Sequence, residues 1–172
     1  MTFPEKIEFP TLLGERLTRD HLPCWRELFS NPEVMKTLGG VQPDGWIEAN
    51  LMQHITKWDE YGFGLWLFRE RETNRFVGRG GLHVVELEGE EQVEVGYALL
   101  PEFWGRGLAT EIARESVALA RVYLDVVELF SLTLPDNLAS QRVMEKSGFT
   151  HAGEVLLRGV PQVLYRQIIL GV

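Results

Sequence analysis

The chain has 172 residues, 45% of them hydrophobic, and a formal net charge of −8. Those values suit one globular domain over residues 1–172 and exclude a membrane span, since no apolar run reaches the roughly 18 residues one needs. The acidic balance argues against nucleic-acid binding and favours a cationic partner such as an amine.

The opening Met1-Thr2-Phe3-Pro4-Glu5-Lys6 has no basic start or apolar core of a signal peptide, and Cys24 is alone. A cytoplasmic protein without disulfide or cysteine-bound metal is expected. A first strand is expected within residues 9–18. Asp20 is a suitable N-cap for a helix with Pro23 in its first turn and Trp25, Leu28 and Phe29 on one face; Asn31-Pro32 ends it. Asp44 can cap a second helix, where Ile47, Leu51, Met52, Ile55 and Trp58 recur at helical spacing until Tyr61-Gly62-Phe63-Gly64. Strands at 65–68, 76–85 and 93–100, with turns at 72–75 and 89–91, read as an antiparallel meander. A helix follows with the stripe Ala109, Ile112, Ala113, Val117, Ala120 and Leu124. Residues 126–134 read as a strand and 139–146 as a short helix ending at Gly148. Strands at 150–157 and 162–170 flank a turn at Arg158-Gly159-Val160-Pro161. The order β-α-α-β-β-β-α-β-α-β-β is mixed, which speaks against a doubly wound dinucleotide fold.

The stretch Leu99-Leu100-Pro101-Glu102-Phe103-Trp104-Gly105-Arg106-Gly107-Leu108-Ala109-Thr110-Glu111 joins a strand to a fresh helix through a glycine turn. A helix start offers free backbone N–H groups and a positive end, and glycines let a phosphate approach closely. The dinucleotide fingerprint needs a third glycine where Thr110 stands, and the P-loop needs a lysine that is absent. Trp104-Gly105-Arg106-Gly107-Leu108-Ala109-Thr110-Glu111 instead resembles the pyrophosphate loop of the GCN5-related N-acetyltransferases. It is closest to the branch of ribosomal-protein alanine acetyltransferases and their small-molecule relatives, whose loop reads W-G-K/R-G-x-A-T-E. Asn137-Leu138-Ala139-Ser140-Gln141-Arg142-Val143-Met144-Glu145-Lys146-Ser147-Gly148-Phe149 is similar to the second motif of that branch. Thr11 to Asp20 and Asn31-Pro32-Glu33-Val34-Met35 resemble its opening, so the likeness covers most of the chain.

The resemblance implies a single-domain α+β (mixed α/β) acetyltransferase fold. Its sheet would be twisted, mostly antiparallel and splayed between strands 93–100 and 126–134, with helices on its flanks. It implies acetyl-CoA as co-substrate, no metal, and transfer to a primary amine on a small molecule or a protein N-terminus. Many such proteins are homodimers; neither nucleic acid nor membrane is an expected partner. The coenzyme residues it implies are Ala98, Leu99, Leu100, Trp104, Gly105, Arg106, Gly107, Leu108, Ala109, Thr110, Asn137 and Ser140. Asn137 would bind the pantetheine arm, and Ser140 would lie by the sulfur. The family's usual acid is a tyrosine seven residues after the asparagine; here Met144 stands there, which makes Ser140 the candidate acid. That departure also keeps open a non-catalytic acyl-CoA sensor.

A lysine-type amine, with pKa about 10.4, needs a base near neutral pH more than a protein α-amine of about 7.7–8 does. Glu94 is the candidate base, with His83 as the alternative; an exposed strand glutamate is the plain reading of Glu94. A backbone N–H near Leu99 is the candidate for receiving the developing oxyanion. Arg106 is placed to meet a phosphate or to face solvent. Trp46, Trp58, Phe63 and Trp66 are candidates for an acceptor groove, with core packing as the alternative. His21, His54, His83 and His151 are too scattered for a metal pair, and no G-x-S-x-G elbow occurs.

Overall fold

The computed structural model describes residues 2–169; Met1 and Leu170, the expected end of the last strand, lie outside the described residues. Eight strands form one sheet: β1 (Lys6–Glu8), β2 (Leu12–Arg16), β3 (Leu65–Glu70), β4 (Phe76–Leu87), β5 (Glu90–Leu99), β6 (Glu128–Thr133), β7 (Thr150–Leu157) and β8 (Val160–Ile168). Their order is β1-β2-β3-β4-β5-β6-β8-β7. All neighbours are antiparallel except β5 and β6. Those two strands run parallel and share one register pair, Glu94 with Phe130. Beyond that pair they part, and the sheet opens into a V. At its apex the buried Ser131 Oγ donates to the Val95 carbonyl at 2.8 Å. This is the expected mixed, splayed architecture, and it excludes an all-parallel dinucleotide sheet.

Alternation divides the side chains between two faces. On one face Arg79, Gly81 and His83 of β4 stand opposite Ala98, Gly96 and Glu94 of β5. Helices α1 (Leu22–Phe29) and α3 (Asp44–Tyr61) pack on β4 from this side, and the short α2 (Pro32–Met35) packs on α1. His54 of α3 packs on His83, with ring centroids 5.6 Å apart. The other face carries α4 (Leu108–Tyr123) and α5 (Leu138–Lys146). Ile112 of α4 seats directly on Gly80, where a Cβ would stand 2.6 Å from its Cγ2. The stripe predicted for α4 is buried at Ile112, Ala113, Val117 and Ala120. Glu111 in its first turn binds both the N–H and the hydroxyl of Thr11, tying the helix to the start of β2. No helix among the described residues is long and apolar enough to cross a membrane.

Several local expectations are corrected. The short β1 precedes the strand expected first. Asp20 lies in a 3-10 turn, Arg19–His21, and His21 is the N-cap of α1; its Nδ1 accepts from the Thr18 N–H at 3.0 Å. Asn31 does more than end α1: its side chain caps α2, accepting from Glu33 and Val34 N–H. Asp44 is the first helical residue after Pro43, and its carboxylate binds Arg26 instead of the helix end. The turns at Glu88-Gly89 and Arg158-Gly159 are two residues long with positive φ at both positions (55° and 84°; 49° and 78°). That geometry matches the twist of the flanking strands. It carries Glu90, Glu91, Val160 and Pro161 into strands instead of turns. Trp58 and Trp66 are core residues, T-shaped to each other at 5.6 Å, and Phe63 packs against the same cluster. Of the four aromatics only Trp46 is open, at 39% exposure.

Candidate active site

A cleft of about 520 Å³ fills the V between β5 and β6. Of the residues singled out in the sequence, Ala98, Leu99, Trp104, Gly105, Gly107, Leu108, Ala109, Thr110, Asn137 and Ser140 line it. Leu100, Arg106 and Glu94 do not. Leu100 is buried, and its N–H donates to the Val77 carbonyl at 2.9 Å. Arg106 turns back to pair with Glu70 and lies over the Phe103 ring, 5.5 Å from its centroid.

The loop is built to leave its backbone open. Trp104 donates its indole N–H to the Leu99 carbonyl at 2.8 Å, which pins the loop to the end of β5. Gly105 and Gly107 take φ of 71° and 78°, and a Cβ on either would meet empty space. The first bond of α4 runs from Glu111 N–H to Gly107 O at 3.0 Å. Among the described residues, no protein group accepts from the N–H groups of Gly105 through Thr110. Free donors and glycine-cleared space at a positive helix end fit a pyrophosphate. Lys36, Arg142 and Lys146 also line the cleft. The sequence reading missed these cations, although Ala139, Arg142, Val143 and Lys146 recur at the spacing of one helix face.

Asn137 caps α5, its Oδ1 accepting from the Ser140 N–H at 3.2 Å. The Ser140 hydroxyl lies 3.0 Å from the hydroxyl of Tyr97, a residue of β5. Burial raises the Tyr97 pKa above its ordinary value, so the phenol stays protonated. Met144 is 1% exposed and belongs to the core. The hydroxyl beside Ser140 therefore comes from β5 and not from α5. Only the period-2 pattern of β5, combined with knowledge of what faces it, could have revealed Tyr97.

Glu94 is on the opposite face from Tyr97, at the apex of the V. Its Oε2 lies 2.9 Å from His83 Nε2, and the two side chains are 16% and 14% exposed. Gly96 separates Glu94 from Ala98 on this face, and the Arg79 and His83 side chains lie over its backbone. His54 lies beside His83; burial foremost, then the nearby His83, Arg79 and Lys57, hold its pKa well below the usual value.

A family model described as an acetyltransferase (GNAT) domain matches residues 12–150. The FsC-acetyl coenzyme A-N(2)-transacetylase of Aspergillus fumigatus is 33% identical over 157 residues, 83% of this chain and 66% of that protein. An acetyltransferase structure from Agrobacterium tumefaciens superposes with a TM-score of 0.84 at 23% identity, covering 97% of this chain and 95% of the other. RimL, a ribosomal L7/L12 alpha-N-protein acetyltransferase solved with coenzyme A, superposes with a TM-score of 0.76 at 19% identity, covering 98% of each chain.

Proposed function

This chain belongs to the acetyltransferase (GNAT) family and is an acetyl-CoA-dependent N-acetyltransferase, and we propose that its V-shaped cleft moves the acetyl group to a primary amine by direct attack. The observation that carries this reading is the run of free N–H groups at Gly105–Thr110, opening toward the Ser140–Tyr97 hydroxyl pair. In this reading the pyrophosphate sits on that run, with Lys36, Arg142 and Lys146 supplying charge. The Asn137 amide binds the pantetheine arm, which brings the thioester to the parting of β5 and β6. A backbone N–H near Leu99 receives the oxyanion.

The amine approaches from the face of Glu94 and must arrive neutral. Glu94, with His83 at 2.9 Å, takes its proton directly or through water. Attack forms the C–N bond and breaks the C–S bond, and the departing thiolate takes a hydrogen bond or proton from Ser140. Tyr97 holds the Ser140 hydroxyl in place.

The test is thiol release from acetyl-CoA with a panel of primary amines: amino acids, polyamines, an aminoglycoside and N-terminal peptides. Release that depends on one of these classes is expected. Coenzyme binding by thermal shift with no release across the panel would return the chain to the sensor reading.

A further inference from the structure

Arg79 is a guanidinium without a partner. It makes no hydrogen bond and no ion pair within 4 Å among the described residues, and its Nε is enclosed with nothing to donate to. Burial lowers its pKa, and Glu94 is the carboxylate that steadies the charge. Its place is specific. A Cβ on Gly96 would stand 3.2 Å from Arg79 Nη1 and 3.2 Å from His83 Nε2. The two nitrogens are therefore no more than about twice that distance apart, and both overhang the bare backbone of Gly96. On the same face Glu94 flanks Gly96 on one side and Ala98, at the cleft, on the other. The charges around it are Arg79, Lys57, whose Nζ is held by the Val84 carbonyl, and Glu94. His54 is kept neutral by burial. This stretch of the sheet face is thus locally cationic inside a chain of net charge −8.

An unpaired desolvated guanidinium is expensive to keep unless something pairs with it. A planar fork of N–H donors suits a carboxylate. Resting on the function proposed above, we propose that the acceptor is a free amino acid or similar zwitterion. Its amine lies at Glu94 and His83 while its carboxylate pairs with Arg79. Polyamines and aminoglycosides would bring a second cation against Arg79 and Lys57, and this arrangement disfavours them. The overall acidity, which favoured a cationic partner, is overruled by the local charge.

The experiment compares the standard L-amino acids with their α-amides, which keep the same amine and side chain but lack the carboxylate. Spermidine serves as the cationic control. Wild type should prefer the best acid over its amide by about 10- to 100-fold in kcat/KM. Arg79→Met should remove that preference by raising KM for the acids toward that of their amides, and Arg79→Lys should keep part of it. Because Arg79 has no internal partner, Arg79→Met should hold or raise the melting temperature. Binding is read separately, as the thermal shift each acid gives without coenzyme. A shift by acids that Arg79→Met abolishes would stand even if no transfer occurred, so failure of the enzymatic reading is distinguishable. Equal turnover of acids and amides, a preference that survives Arg79→Met, or neither shift nor turnover with any acid overturns the proposal.

Discussion

Ser140 and Tyr97 come from two elements and meet at the wall of the cleft, where the Tyr97 hydroxyl lies 3.0 Å from the Ser140 hydroxyl and donates to the Ser140 carbonyl at 3.2 Å. A thiol leaving group gains from a proton mainly as the C–S bond breaks, so the pair should act on the transition state more than on binding. Ser140→Ala is expected to lower kcat by roughly 10- to 1,000-fold while acetyl-CoA Kd changes by less than about threefold. Tyr97→Phe removes the hydroxyl that meets both the Ser140 hydroxyl and its carbonyl, and should lower kcat by about 10-fold. The double variant should be no slower than Ser140→Ala, because residues acting as one unit do not add. Steady-state thiol release on the four proteins checks this. Multiplying effects would mean that the two hydroxyls act separately, and a wild-type rate for Ser140→Ala with chemistry limiting would leave Ser140 as a helix residue only.

At the scale of elements, the loop and α5 were legible from sequence because their chemistry is local. A glycine turn into a helix, or an asparagine at a cap position, means the same thing wherever the chain places it. Tyr97, Arg79 and Lys36 were not legible, because what they face is set by sheet register and by the packing of α2. The caps misread at Asp20 and Asp44 share a cause. Each residue type fits a cap, but Pro23 and Pro43 fix the helix starts near them, and the carboxylate of Asp44 has Arg26 within reach. Gly107 tests the loop. A Cβ there meets empty space in the free protein, so the damage from Gly107→Val is the strained φ of 78° plus the loss of room for the phosphate. At about 100-fold excess over Kd, acetyl-CoA should stabilise the wild type by about 2.7 kcal/mol, roughly 5–10 °C in Tm. Gly107→Val should lose that shift. A variant that melts lower but keeps the full shift would show that the loop does not hold the coenzyme.

On the scale of the whole molecule, both faces of one sheet reach the same opening because its strands part at a single register pair. The residues proposed to hold the coenzyme line the V along α4 and α5, with Ala98 and Lys36 completing it, and the candidate base lies on the side of α1 and α3. The wall between them is β4 and β5, cut down to backbone at Gly78 and Gly96. A Cβ on Gly78 would stand 2.2 Å from the Ala98 carbonyl oxygen, so β4 could not stay that close to the end of β5 with any side chain there. This packing also has a consequence for acid stability. His54 is half-buried between Trp25 and His83, and its imidazolium would lose hydration and face further positive charge. In the unfolded chain a histidine titrates near 6.5. Because the folded pKa is lower, the unfolded state holds more protons between the two values, and stability rises with pH across that window. His54 therefore leaves stability intact above about pH 7 and erodes it as pH falls below about 6.5, by up to about 1.4 kcal/mol per pH unit until the folded pKa is reached. In thermal melts from pH 7.5 to 5, His54→Gln should flatten this acid-side decline relative to wild type, whatever its own effect at pH 7.5. Parallel profiles for the two proteins would mean that the buried ring is protonated without penalty, and the acid sensitivity would then belong to the other titrating groups.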